Sequence, residues 1–558
     1  MEHFNKSYRI IWNDDFQYMA WEAPLTPEQF AHVILGQVAG TQVDAVFPTV
    51  CMGYSTIYSS ELPDVEYYGE KWGPESKTKI NTVWQWRLLR TIKSLIESGH
   101  DPLEIYCRES RRLGLDIFPD MHQNDWHHHG ESGGEEVWNP LAGSFYRNHP
   151  EFKIGPDAEG AMEHFQDFAH EEVREFRRSI AEEVCRKYDV DGFQLDFMRI
   201  PGFFKPSAVG KNTPVMTQYV RDVRATLDRV GKEKGRRFGL SVRTPLTIER
   251  ALDYGLDVKT WIEEELVDIL CPTPFFMNYM DADISPFTEL ARGSGCRIYP
   301  LIEESYKCGY ARWAGMPGWI YGGRGMGDVI QPISVEMARA VAMNYWQAGA
   351  DGISLYNWEG IYGQDYLIHP ALKEIGDARG LTFKDKRYTL THSDASDGSA
   401  HSPPAPLPVA LGKETVLFPL RVSDDLEASR GRIDAVTLWL YIKGYTSQDE
   451  IEVTLNGATL THQINPLKAG MFTPPSEAMW VQYDLRRQLP RLGENDLTIR
   501  LVRRNPDLTP EFAQFDFDGK DWWGSPITGM AVTDVEVEIR YGWPHGDWRP
   551  PRGWTPRS

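Results

Sequence analysis

Residues 188–199 read Tyr-Asp-Val-Asp-Gly-Phe-Gln-Leu-Asp-Phe-Met-Arg. The stretch follows a long amphipathic helical pattern, turns through Asp191-Gly192 and then alternates. Phe193, Leu195 and Phe197 fall on one face, and Gln194, Asp196 and Met198 on the other. Period-two alternation over so few residues predicts a short buried strand that ends in a carboxylate. In a parallel α/β barrel that end of each strand carries the chemistry, which makes Asp196 a catalytic candidate. The plainer roles for such an Asp are to cap a turn or to pair with Arg199, just ahead of the Pro201-Gly202 loop.

Working outward, short apolar runs recur at 8–12, 43–50, 114–119, 237–242, 267–271, 297–302 and 351–356. Helical patterns separate them. One starts at Thr26-Pro27-Glu28, where Thr caps and Pro takes the first helical position. Others cover 102–113 behind Asp101, 163–187, 258–265 and 335–347. About eight strands alternating with helices predict a (β/α)8 TIM barrel rather than an open sheet. The segments after the second, third, fourth and seventh strands (51–80, 121–162, 200–214 and 303–332) are long and rich in Gly, Pro, Trp and Tyr. Loops of that length on one barrel face are expected to wall a binding site.

The pattern changes after residue 376. A Ser-, Asp- and Pro-rich stretch precedes short alternating runs at 415–422, 435–442, 450–455, 479–483, 496–502 and 531–539, with turn signals such as Asn456-Gly457. These predict an all-β sandwich. The expected organisation is a catalytic barrel over 1–385, a linker over 386–408, an accessory β-sandwich over 409–545 and a Pro-rich tail over 546–558.

With 59 Lys and Arg against 80 Asp and Glu, the net charge is -21. That charge repels a nucleic-acid backbone and an anionic membrane surface, so neither is an expected partner. No run is long and apolar enough for a span, and no export signal is legible at the start, which predicts a cytoplasmic protein. Six scattered cysteines without C-x-x-C spacing predict free thiols rather than a zinc site or a disulfide framework. The 19 tryptophans suit sugar faces, although packing is the ordinary explanation for any one of them.

Polar residues gather at the predicted strand ends. Asp14 and Asp15 end the first, Asp120, His122 and Asp125 the third, Asp196 and Arg199 the fourth, and Arg243 the fifth. Glu303 and Glu304 end the seventh, and Trp358 and Glu359 the eighth. Two carboxyl groups across a barrel mouth are what glycoside cleavage requires: one attacks or stabilises the anomeric carbon, the other protonates the leaving oxygen. The expected pair is Asp196 with Glu303 or Glu304. Alternation along 297–304 favours Glu303, which shares a face with Tyr299 and Leu301. Arg243 is a candidate to hold Asp196 ionised. Trp12, Asp14, Asp120, His122, Asp125, Trp126, Arg199, Trp358 and Glu359 complete the expected substrate contacts. His127, His128 and His129 follow closely, but adjacent histidines alternate direction in an extended chain and no H-E-x-x-H occurs. No metal or other cofactor is therefore expected.

The run Asp191-Gly192-Phe193-Gln194-Leu195-Asp196, with Arg199 three residues on, resembles the fourth-strand motif of the α-amylase-like barrels and of hypothetical glycosyl-hydrolase barrels related to them. The resemblance implies a nucleophile at Asp196 and retention of configuration. Two positions depart from it. Gln194 stands where amylases place Arg, and the fifth strand reads Ser-Val-Arg-Thr where they carry the general-acid Glu. The run 492–501, Leu-Gly-Glu-Asn-Asp-Leu-Thr-Ile-Arg-Leu, resembles the galactose-binding-like jelly rolls appended to carbohydrate enzymes. Together these readings predict a glycoside hydrolase acting on an oligo- or polysaccharide. The rival expectations are a metal-dependent hydrolase using His122 and Asp125, and a carbohydrate-binding barrel without catalysis.

Overall fold

The computed structural model describes residues 4–542 apart from 17, 19–20, 22–23, 77, 81, 126, 128–138, 159, 276, 310–328, 359–369, 393–400, 469–477 and 509–528. Its N-terminal part is a mixed α/β, TIM-barrel-like fold around a curled parallel sheet. The strands are β1 (Ile10–Asp14), β2 (Val43–Met52), β3 (Asp116–Ile117 and Asp120–His122) and β4 (Gly192–Asp196). They continue with β5 (Gly239–Pro245), β6 (Ile269–Thr273), β7 (Arg297–Ile298 and Leu301–Glu303) and β8 (Ile353–Tyr356). Neighbours in this order pair in parallel, β8 pairs with β1, and β7 pairs with β6 through its first half and with β8 through its second. The breaks in β3 and β7 fall at Pro119 and Pro300, which lack an N–H for the ladder. Their carbonyls still accept, from Gln194 at 2.9 Å and from Ser354 at 3.0 Å.

Side-chain parity sorts each strand into an outer face, packed on helices, and an inner face. Ile10, Trp12, Phe193, Leu195, Ile302 and Leu355 join the large apolar cluster that includes Phe30, Ile34 and Leu88 of the flanking helices. Ile11, Phe47, Phe118, Ile269 and Tyr299 form a separate cluster that fills the floor of the sheet's interior. Phe118 fits there because Gly192 and Gly239 have no side chain: a Cβ on Gly192 would lie 2.1 Å from the Phe118 ring.

Two helical expectations shift. The helix ahead of β4 spans Glu171–Lys187, its first expected turn being a separate 3₁₀ turn at Gly160–His164. Between β4 and β5 runs a 26-residue helix, Val209–Lys234, whose first turns, with Pro214 inside them, take up residues 209–214 of the expected loop. Among the described residues no helix is long and apolar enough to cross a membrane. All six cysteines are buried thiols.

Among the described residues, the C-terminal part holds two antiparallel sheets, of six and four strands. Phe418, Leu420, Val453 and Leu497 of the smaller sheet share one apolar cluster with Leu438, Leu440, Val481 and Val537 of the larger. The larger sheet begins inside the expected linker, since Lys386–Thr389 pairs with Ala531–Tyr541. The stretch from Lys386 is thus anchored by backbone hydrogen bonds rather than strung between domains. The expected tail, 546–558, lies outside the described residues.

Candidate active site

Three layers of inward side chains rise along the strands. Above the apolar floor lies a polar layer. The Asn13 amide donates to Ser354 Oγ (2.8 Å), and Gln194 Nε2 donates to Asn13 Oδ1 (2.8 Å) and Asp120 Oδ1 (3.0 Å). Ser241 Oγ donates to Gln194 Oε1 (2.8 Å) and Thr49 Oγ1 to Asp120 Oδ2 (3.2 Å). A network in which each buried polar group has a partner fixes rotamers and so sets the height and aim of the layer above.

That upper layer, at the C-terminal strand ends, holds Asp15, His122, Asp196, Arg243, Glu303 and Tyr356, all buried. Asp196 accepts three hydrogen bonds: Oδ1 from the backbone N–H of Met198 (2.7 Å) and of Arg199 (3.0 Å), Oδ2 from Arg243 Nη1 (2.7 Å). The Arg243 guanidinium lies 3.7 Å from the centre of the Tyr356 ring. His122 Nδ1 lies 2.7 Å from Asp125 Oδ2, and its Nε2 sits 3.7 Å from Asp196 Oδ2 and 3.5 Å from the Tyr356 hydroxyl. Asp125 also takes the His127 backbone N–H at 2.7 Å and the His127 ring. Arg199 Nη2 reaches Asp15 Oδ2 at 3.4 Å.

Three carboxyl groups, Asp15, Asp125 and Asp196, thus face three bases, His122, Arg199 and Arg243. Buried charges are tolerable in such a site because each has an opposite partner. Protonation follows from these contacts. Burial disfavours the charged form of Asp125, yet His127 and His122 hold its carboxyl well below the usual range. Burial also opposes ionisation of Asp15, which Arg199 and His122 overcome. Burial pulls His122 down, but Asp125 carries it above an ordinary imidazole. Glu303 goes the other way: burial raises it to about 7 against the pull of Arg243 and of Asn357, whose Nδ2 donates to Oε2 at 3.0 Å. Asp120 likewise rises to about 7, through burial and the nearby charge of Asp196.

Asp196, Glu303, His122, Asp125, Arg199 and Arg243 therefore lie together at the strand ends, with Asp120 one layer below. Others do not. Trp12 lies in the outer cluster, and Asp14 accepts from the hydroxyl of Tyr106 on the helix Pro102–Leu113, because Ile10, Trp12 and Asp14 share the outward parity. Asp15 takes the place expected of Asp14. Trp358 is buried in the same outer cluster and donates to the Ile302 carbonyl at 2.9 Å. Glu304 is buried too, but alternation sends it away from Glu303; its carbonyl accepts from Ile333. Trp126 and Glu359 lie outside the described residues. Tyr356 and Asn357 went unrecognised, although parity from Ser354 would have placed Tyr356.

Asp120, His122 and Asp196 could also hold a metal ion, since one ligand atom from each lies within 4.8 Å of the others.

No protein-family model matches the chain, and no curated protein matches it in sequence. Solved structures similar to it include the PgaB glycoside hydrolase domain from Bordetella bronchiseptica, with 11% identity and a TM-score of 0.39, over 67% of this chain and 99% of that one. A family GH18 chitinase from Chromobacterium violaceum has 9% identity and a TM-score of 0.38, over 90% of this chain and 89% of that one. A glycoside hydrolase family 18 N-acetylglucosaminidase from Paenibacillus barengoltzii has 12% identity and a TM-score of 0.33, over 67% and 100%. Likeness at this level assigns no role to any residue here.

Proposed function

We propose that this chain is a glycoside hydrolase whose working pair is Asp196 and Glu303. One observation carries the reading: in a single buried layer, one carboxylate is pinned by an arginine while another carboxyl keeps its proton to about pH 7. Glycoside cleavage needs both states together, a charged group for the anomeric carbon and an acid for the leaving oxygen. Asp196 is the nucleophile, held in place by Met198, Arg199 and Arg243. Glu303 is the acid, and Asn357 fixes its Oε2. His122, anchored by Asp125, and Tyr356 supply polar partners for sugar hydroxyls. The reaction retains configuration, the outcome implied by the amylase-like motif at Asp196. The β-sandwich, read as a jelly roll, is an accessory carbohydrate-binding domain. The test is a panel of nitrophenyl glycosides with the full chain: nitrophenol release by the wild type and its loss in Asp196→Asn supports the reading. No release from any member, with a folded protein, would count against it.

A second reading rests on the donor set Asp120, His122 and Asp196. The Asp125–His122 contact is the carboxylate–histidine arrangement common behind metal ligands. A divalent ion there would make the chain a metal-dependent hydrolase. Stoichiometric metal in purified protein, with activity lost on chelation and restored by the ion, would favour this reading over the first.

A further inference from the structure

Beside the carboxylate layer lies a pocket of about 140 Å3 whose wall is apolar over most of its area, with Arg250, Tyr254 and Thr273 as polar members. Its position follows from parity. Met198 lies two residues beyond Asp196, Pro245 two beyond Arg243, and Phe275 two beyond Thr273, all of them in its wall. On β5, at about 3.3 Å per residue, Pro245 stands roughly 7 Å beyond Arg243, with Thr273 of β6 paired beside it. Leu246 and Tyr279 line it as well, and Ser402 and Pro403, from the segment that leads into the sandwich, close it on another side. The mechanism uses none of these side chains.

We propose that this pocket is a substrate subsite for an apolar group about the size of a benzene ring, carried next to the scissile bond. The proposal rests on the glycosidase reading. Volume sets the size of the group: a cavity of about 150 Å3 takes up benzene. Met198, Leu246, Pro245 and Phe275 give an apolar group its contacts, and the polar groups of the wall come from Arg250, Tyr254, Thr273 and Ser402. The group is either the aglycone or an aromatic acyl substituent on the sugar.

Benzyl alcohol is the probe for the site itself, titrated into the full chain and followed by ligand-observed NMR. Saturable binding is expected, weakened at least tenfold by Leu246→Trp, which fills the pocket. Phe275→Ala, which widens it, should bind 2-naphthylmethanol at least fivefold more tightly than the wild type does. No saturable binding, or binding that neither substitution alters, overturns the proposal. Kinetics then identify the source. Methyl and benzyl alcohols are similar leaving groups, so a benzyl glycoside with a KM at least tenfold below the methyl glycoside of the same sugar, and a similar kcat, marks the aglycone. The same KM drop for a methyl glycoside bearing a benzoyl ester marks the acyl substituent. Leu246→Trp should abolish whichever preference is found while sparing the plain methyl glycoside; no preference in either pair overturns the subsite. Because the NMR arm needs no turnover, Leu246-dependent binding by a chain that hydrolyses nothing overturns the glycosidase reading alone.

Discussion

At the scale of single residues, Asp196 and Glu303 separate by what holds them. Asp196→Asn keeps the shape and the acceptor for the Met198 and Arg199 N–H groups but removes the charge facing Arg243. Turnover should fall by about a thousandfold. Because the substitution leaves a buried arginine without its counter-charge, stability should fall too, by about 3–5 kcal/mol, which denaturant melts would read. Arg243→Met in the same background should recover part of that stability and none of the activity. Glu303 makes a different prediction. Its folded pKa is raised from the ordinary 4.5 to about 7, so the folded state holds a proton that the unfolded chain has lost across that window. Its contribution is fully present below about pH 4.5 and is lost as pH rises toward 7. The melting temperature of Glu303→Gln, which cannot ionise, should therefore rise relative to the wild type between pH 4.5 and 7.5. A constant difference over that range would show that Glu303 is not held protonated.

Among the elements, β4 decides the geometry, and its first residue is the sensitive one. Gly192→Ala would drive a methyl group into the Phe118 ring and the Gly239 carbonyl, which lies 2.4 Å from the added carbon. Overpacking of this kind costs about 1–3 kcal/mol, so the variant should melt several degrees lower while keeping the pH dependence of its activity. The same strand shows why part of the site was legible in the sequence. In β4 the inner face is polar at Gln194 and Asp196 and the outer face apolar, so alternation could be read directly; Tyr299, Leu301 and Glu303 in β7 gave the same signal. In β1 it failed. Ile10, Ile11 and Trp12 are apolar on both faces, as strands of a parallel sheet buried on both sides are, and Asn13, Asp14 and Asp15 are all polar. Nothing in that run says which face is which, so Asp14 was expected where Asp15 stands. At the end of β8, continued alternation would aim Trp358 inward, but Asn357 takes a left-handed backbone (φ 60°) and turns the indole out to the core. That reversal leaves no mark in side-chain pattern.

Across the whole molecule, the two parts meet through specific contacts rather than a loose strand. Lys386 Nζ, fully buried, donates to the Leu381 carbonyl at 2.7 Å and pairs with Asp424 at 2.9 Å. Ser423 Oγ donates to Asn344 Oδ1 at 2.7 Å, and the Met280 N–H donates to Thr391 Oγ1 at 2.8 Å. Ala340, on the helix Val335–Gln347, packs into the sandwich cluster. A chain cut after Ser402 would keep the strand Lys386–Thr389 but lose its partner Ala531–Tyr541, leaving an open edge and a stripped apolar face. Such a truncation should aggregate on size-exclusion chromatography, and the full chain should unfold in one transition; a monomeric truncation with unchanged melting temperature would show that the parts are independent. The pairing of Lys386–Thr389 with a strand about 150 residues away is invisible locally, because composition reports only solvent preference. For the complete chain, the central claim is that Glu303 gives a proton to the oxygen leaving from a sugar that Asp196 attacks. The most direct measurement compares Glu303→Ala with wild type on 2,4-dinitrophenyl and methyl glycosides of one sugar, with and without azide. The account predicts near-normal kcat/KM on the dinitrophenyl glycoside, which needs no acid, a loss of at least a thousandfold on the methyl glycoside, and rescue by azide with formation of a glycosyl azide. Equal losses on both substrates, or no rescue, would contradict it.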